Sequence, residues 1–179
     1  MKLLMRSWAA IDPERALAYA NESLDQKSEQ RFGISEVLAG WANSDPQGAV
    51  SWARENSNNS KNEDNAMLVG IIRGLAENNL DVADELFREL PEGGARWQAS
   101  TFLAQEYAKL GTEEAIKWAE NFPDKDDRMR ETILGQLGAK LSRQDLQGTA
   151  NWVRKMDNDN ASKRVTDNLL MQWVSQDAA

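Results

Sequence analysis

Apolar residues recur along the chain at the spacing of helices, in stretches separated by short polar segments. The stretch SWAAIDPERALAYA near the start returns 33 residues later as GWANSDPQGAVSWA. Both contain Trp-Ala, then Asp-Pro after two further residues, then an Ala with an aromatic ring three positions on. A phrase that returns at this distance indicates an internal structural repeat.

Six anchor positions define the repeat at spacings of 32 to 34 residues: Trp8, Trp41, Leu75, Tyr107, Leu141 and Trp173. Four residues before each anchor the chain is apolar: Leu4, Val37, Ile71, Leu103, Leu137 and Leu169. Directly after it the residue is small or apolar: Ala9, Ala42, Ala76, Ala108, Ser142 and Val174. The residue eight positions after the anchor is small: Ala16, Ala49, Ala83, Ala115 and Thr149. The residue eleven positions after the anchor is large and apolar or aromatic: Tyr19, Trp52, Leu86, Trp118 and Trp152.

Each unit is predicted to be a hairpin of two helices. Apolar residues before and at the anchor recur at helical spacing, which predicts an amphipathic first helix. Asp or Asn four residues after most anchors is a favoured N-cap for a second helix, and Pro13 and Pro46 then occupy the first helical position. In the fourth unit we expect Thr112 to provide the cap after Gly111. First helices are predicted over 1–10, 27–43, 62–77, 95–109, 127–142 and 161–176, and second helices over 13–23, 46–56, 80–90, 113–121 and 146–156.

One hairpin cannot enclose its own apolar stripe, so neighbouring hairpins are expected to stack. We therefore predict an all-α fold, an α/α solenoid of about five and a half two-helix repeats of 32–34 residues, with about eleven helices. Residues 1–179 are interpreted as a single helical-repeat domain. Because the sixth unit ends before a second helix, we expect a fragment or the truncated end of a longer array.

The third unit, LVGIIRGLAENNLDVADELFRELP, carries Leu68, Ile71, Ile72 and Leu75, and then Ala83, Phe87 and Pro91. This layout resembles the tetratricopeptide family and related α/α repeats, of which the chain is interpreted as a divergent member. The resemblance implies a right-handed superhelix whose first helices line a concave binding surface.

Seven tryptophans could suggest a ligand-binding box, but most of them occupy columns that other units fill with Tyr or Leu. The predicted repeat core is Trp8, Trp41, Trp52, Leu75, Tyr107, Trp118, Leu141, Trp152 and Trp173. Because no second helix follows Trp173, part of its ring is expected to be exposed.

Composition narrows the possible chemistry. The chain has no Cys and no His, which removes disulfides, thiolate catalysis, the usual general base and the commonest zinc ligands. A net charge of −8 argues against nucleic-acid binding, and no apolar run is long enough for membrane insertion. We predict no cofactor and no metal site; the acidic stretch Asp157–Asn160 resembles the start of a calcium loop, but Ser162 and Asn168 replace the Gly and Glu that such a loop needs. Compartment and oligomeric state are left open.

Candidate binding residues come from positions that break the repeat columns. Trp97, next to Arg96, is a ring in a column that otherwise contains mostly polar residues, so it is a candidate for an exposed contact. Met129 and Lys163 share that column. Arg6, Arg73 and Gln105 share a column beside the core stripe of the first helices, where two arginines could bind a peptide carboxylate. The alternative is that these arginines pair with Asp or Glu of a neighbouring repeat.

The predicted function is a non-enzymatic scaffold that binds a protein or peptide on the surface of its first helices. The alternative is a superhelical spacer or collar in a larger bacterial protein or enzyme, such as one associated with the envelope. An enzyme is the third and weakest hypothesis, because the usual catalytic constellations are missing from the sequence.

Overall fold

The computed structural model describes residues 2–56, 61–121, 127–157 and 159–177, and these residues form eleven α-helices and no strand. The predicted all-α class is therefore confirmed. The helices are α1 (Lys2–Ala9), α2 (Pro13–Glu22), α3 (Lys27–Ser44), α4 (Pro46–Glu55), α5 (Lys61–Ala76), α6 (Leu80–Glu89), α7 (Gly94–Leu110), α8 (Thr112–Glu120), α9 (Asp127–Gln144), α10 (Leu146–Val153) and α11 (Asn160–Asp177).

The chain divides into two compact units, Met1–Leu103 and Ala104–Ala179. In the first unit the first helices are neighbours in chain order, because α1 packs against α3 and α3 packs against α5. The second helices α2 and α4 each contact the first helix before them and the one after them, and α6 packs on α5. In the second unit α9 contacts α8, α10 and α11, and α10 contacts α8 and α11.

Two glycines allow the first helices of the first unit to cross at backbone distance. A Cβ atom at Gly40 of α3 would lie under 3.0 Å from three backbone atoms of Arg6 in α1. A Cβ atom at Gly74 of α5 would meet the backbone of Ala39 in α3 in the same way. Gly40 and Gly74 both directly precede an anchor, and Arg6 and Ala39 both stand two residues before one. The two crossings therefore use the same repeat positions.

The second helices begin where the sequence predicts, at polar caps. The side chains of Asp12, Asp45, Asn79 and Asp145 each accept a hydrogen bond from the backbone N–H three residues later. The prediction that Thr112 caps α8 is wrong. Thr112 is already the first helical residue, and Gly111 precedes it at φ 133°, a conformation that favours glycine, without a side-chain cap.

The repeat columns differ in how deeply they are buried. The small column is completely buried in all five second helices: Ala16, Ala49, Ala83, Ala115 and Thr149. Of the predicted core residues, Leu75, Trp118, Leu141 and Trp152 are buried, while Trp8, Trp41, Trp52 and Tyr107 are half-buried. Trp173 is the exception at 55% exposed. The anchor ring contacts the ring eleven residues later, with centroids 5.7 Å apart for Trp8–Tyr19 and 5.1 Å apart for Tyr107–Trp118.

The burial of Ala115 leads to a stability prediction. Ala115→Leu should lower the free energy of unfolding by about 1–3 kcal/mol, because a larger side chain overpacks a site without free volume. Lys117→Leu on the exposed side of the same helix should change it by less than about 0.5 kcal/mol. Chemical denaturation followed by circular dichroism measures both. Equal losses for the two variants would remove the assignment of the small column to a tight helix crossing.

Candidate functional site

Three first helices of the first unit meet at one buried carboxylate. Glu36 of α3 is fully buried, and its two oxygens accept from two arginines. Arg6 Nε of α1 donates to Glu36 Oε2 at 2.7 Å, and Arg73 Nη2 of α5 donates to Glu36 Oε1. A buried carboxylate would be costly without such partners, so the pairing makes its burial possible.

Glu77, just after α5, completes what we call the arginine–glutamate cluster: Arg6, Glu36, Arg73 and Glu77. Arg6 Nη1 donates to Glu77 Oε1 at 2.7 Å, so Arg6 connects α1 to both α3 and the end of α5. Two positive and two negative charges balance within the cluster. Burial alone would lower the pKa of the Arg6 guanidinium, but the hydrogen bonds to Glu77 and Glu36 raise it above its ordinary value.

Two buried nitrogen atoms of the cluster do not take part in its hydrogen bonds. Arg6 Nη2 and Arg73 Nε are buried and have no hydrogen-bond acceptor among the described residues. The guanidinium carbon of Arg73 lies 5.8 Å from the centroid of the Phe102 ring on α7, within the range of a cation–π contact. Arg73 of the cluster therefore also contacts the part of α7 that belongs to the first unit.

These contacts bear on the predicted carboxylate clamp. Arg6 Nε and Nη1 and Arg73 Nη2 already donate to Glu36 and Glu77, and two further nitrogens, Arg6 Nη2 and Arg73 Nε, are buried. The side chains of Arg6 and Arg73 are only 11% and 20% exposed. The arrangement agrees with the alternative hypothesis from the sequence, in which these arginines pair with Asp or Glu of a neighbouring repeat.

Sequence reasoning missed Glu36 altogether. It stands five residues before its anchor, in a column that elsewhere contains Leu3, Gly70, Phe102, Gln136 and Asn168. The sequence did contain an indication, because Glu36 is the only charged residue in the otherwise mostly apolar run ISEVLAG. The four residues that follow Glu36 in this run are all buried in the structure. A single charge within an apolar stripe requires a partner, and the Arg column offers two.

Arg96 and Trp97 open α7 but have different environments. Arg96 is buried and donates to the carbonyl oxygens of Phe87 at 3.3 Å and Leu90 at 2.5 Å. Its guanidinium also lies 4.6 Å from the centroid of the Phe87 ring. Arg96 thus satisfies carbonyls at the end of α6, which a helix leaves without partners. Trp97 is half-buried.

The remaining candidates belong to the second unit. Met129 on α9 is buried at 5% exposure, so it contributes to packing there. Gln105 and Lys163 are exposed, and the backbone oxygen of Gln105 accepts from Lys140 Nζ at 3.4 Å. Of the predicted binding residues, only Arg6 and Arg73 are joined through a common partner in the described contacts.

An apolar cleft opens beside the cluster in the first unit. It has a volume of about 350 Å³ and is lined by Met5 of α1, Leu24 of the connection, and Ser28, Glu29, Phe32 and Gly33 of α3. Phe32 is 48% exposed and lies one helical turn before Glu36 on the same side of α3. A second opening of about 430 Å³ lies between α4 and α6, where Arg54 and Glu89 pair at 2.6 Å.

The acidic stretch before α11 acts as a helix cap. Asp159 Oδ1 accepts from the backbone N–H of Ser162 at 2.8 Å, and Oδ2 accepts from Arg130 at 2.8 Å. Partial desolvation would raise the pKa of Asp159, but these hydrogen bonds lower it below its ordinary value.

Within the described ranges no three acidic side chains are grouped to hold a metal ion, and no helix is long and apolar enough to cross a bilayer.

Comparisons with known proteins found no counterpart. No protein-family model matches the chain, and no curated protein or solved structure is significantly similar to it. The resemblance to tetratricopeptide repeats therefore stays an expectation from the sequence.

The buried carboxylate gives a prediction about stability. Glu36→Ala should lower the free energy of unfolding by about 3 kcal/mol, because it removes the counter-charge of Arg73 and leaves the largely buried Arg6 with Glu77 alone. Glu89→Ala, which breaks the exposed pair with Arg54, is the matched control and should cost less than about 1 kcal/mol. Urea denaturation of both variants makes the comparison, and similar losses would show that the cluster is no more important than a surface ion pair.

Proposed function

We propose that the chain is a non-enzymatic module that binds a protein or peptide segment on the first-helix side of its first unit. The observation that carries this proposal is the cleft beside Phe32. Its volume of about 350 Å³ lies in the range of sites that receive ligand groups, and its lining is mostly apolar. An exposed aromatic ring beside an apolar opening is typical of a binding hot spot, where a side chain of the partner becomes buried against the ring.

Glu29, the one charged residue among the described residues that line the cleft, favours a basic partner. Glu29 lines the opening, and the chain carries a net charge of −8. Arg6 and Arg73 do not offset this, because their charges are balanced by Glu36 and Glu77. We therefore propose a segment in which an apolar residue enters the cleft and flanking Lys or Arg residues gain from Glu29 and from the net negative charge of the chain.

The arginine–glutamate cluster supports binding by fixing α3, which carries Phe32, against α1 and α5. Phe32 and Glu36 are one turn apart on α3, and Glu36 is bound to α1 through Arg6 and to α5 through Arg73. A surface whose helices are already fixed loses less conformational entropy when a partner binds. The cluster acts through preorganisation and does not itself contact the partner.

We extend the proposal to the arrangement of the hairpins, as a solenoid of the tetratricopeptide type. It is supported by the neighbour order of α1, α3 and α5 and by the equivalent crossings at Gly40 and Gly74. The same repeated step favours the second candidate function, a spacer or collar in a larger protein, because helices in backbone contact form a stiff stack.

A library of twelve-residue peptides displayed on phage, selected on the immobilised chain, tests the proposal. We expect enriched peptides to carry an apolar residue flanked by Lys or Arg, and their affinity to fall at least about tenfold for Phe32→Asp. Ile11→Asp, which places the same charge on a residue that is 85% exposed, should leave the affinity unchanged.

Two results would contradict this assignment. Enriched peptides that bind equally well to Phe32→Asp would place the site elsewhere. Acidic peptides whose binding is lost in Arg73→Ala would instead restore the carboxylate clamp.

A further inference from the structure

Arg73 shows how this chain holds an arginine with a carboxylate and an aromatic ring together. Its guanidinium donates to the carboxylate of Glu36 and lies 5.8 Å from the centroid of the Phe102 ring. Arg96 also lies against a ring, 4.6 Å from the centroid of Phe87. A guanidinium suits such places because its flat face stacks on an aromatic ring while its edge donates to a carboxylate.

Phe32 and Glu29 offer the same two groups but hold no arginine. They lie three residues apart on α3, hence on one side of the helix, and both line the apolar cleft. Phe32 is 48% exposed, and no Lys or Arg of the described residues lies over its ring, in contrast to Phe87 and Phe102. The exposed carboxylate of Glu29 forms no hydrogen bond or ion pair with the described part of the chain.

The basic residues nearest in sequence are not placed to fill this site. Lys27 and Arg31 each stand two residues from Glu29, on other sides of the helix. No residue three or four positions from Glu29 or from Phe32 is basic. Within the described ranges, the ring and the carboxylate are therefore both available to a cation of a partner.

We propose that the cleft binds an arginine of the partner segment, with its guanidinium on the Phe32 ring and paired with Glu29. This rests on the proposed function and deepens it, because it selects Arg over Lys among the basic residues that flank the entering apolar residue. The ammonium of Lys has no flat face to stack on the ring and cannot donate to a carboxylate in bidentate fashion. The methylene groups of the arginine pack along the apolar lining of the cleft.

Three synthetic peptides test which side chain is recognised. Their sequence is acetyl-Gly-Leu-Xaa-Leu-Gly-amide, in which Xaa is Arg, Lys or citrulline, which keeps the shape of arginine without its charge. Each is titrated into the isotopically labelled full chain, and the NMR shifts of the backbone amides of residues 28–33 give the dissociation constant. We expect the Arg peptide to bind at least about threefold more tightly than the Lys peptide, and at least about tenfold more tightly than the citrulline peptide.

Variants of the cleft separate the two contacts. Phe32→Leu keeps an apolar side chain but removes the ring, so it should reduce the preference for Arg over Lys to less than about twofold. Glu29→Gln should weaken binding of the Arg peptide at least about threefold, because it removes the ion pair. Glu85→Gln, the matched control, removes the same charge from an exposed residue of α6 and should change the affinity less than about 1.5-fold at physiological ionic strength.

Three outcomes would overturn the proposal. Equal affinities of the three peptides, all lost in Phe32→Asp, would remove the arginine and leave the proposed site in place. Absence of binding for all three at about ten millimolar would also remove it, and the phage selection alone would then decide the proposed function. Binding that Glu85→Gln weakens and Phe32→Leu leaves unchanged would place the peptides in the opening between α4 and α6.

Discussion

The crossings of α1, α3 and α5 at backbone distance set the geometry on which the first unit depends. At Gly40 and Gly74 there is no room for a Cβ atom, so the helices approach more closely than side chains would allow. Arg6 is itself the residue that Gly40 crosses, and it donates to Glu36 on α3 and to Glu77 after α5. The close crossing and the arginine–glutamate cluster therefore occur at the same place.

Arg6, Glu36 and Arg73 occupy columns that are neutral or apolar in other hairpins, where Gln105, Ala139 and Met171 correspond to the two arginines. Replacing a buried ion pair with apolar residues is often neutral or stabilising, so these charges are not explained by stability alone. We interpret them as a means of fixing which hairpin stacks on which, because a shifted pairing would leave Glu36 buried without a partner. The fixed helices also hold Phe32 in place beside its cleft.

The repeat made much of the fold predictable. The columns around Trp41 and Ala49 gave the helices and most caps, because periodicity and capping act locally. The failure at Thr112 arose because Gly111, at positive φ, begins α8 without a side-chain cap. The candidate site was less predictable, because the partners of Arg73 and Arg96 lie on other elements and the repeat columns do not identify them. The partial exposure of Trp173 agrees with the expectation from the sequence.

The close helix crossing can be tested by the sign of one substitution. Helix propensity alone predicts that Gly40→Ala stabilises the chain by about 1 kcal/mol. The structure predicts a loss of about 1–3 kcal/mol instead, because the added Cβ would displace the Arg6 backbone. Gly135→Ala is the control, since a Cβ there would meet only the side chain of Arg164, at 3.3 Å, and should cost less. A lower free energy of unfolding for Gly40→Ala in urea supports the account, and an increase of about 1 kcal/mol would contradict it.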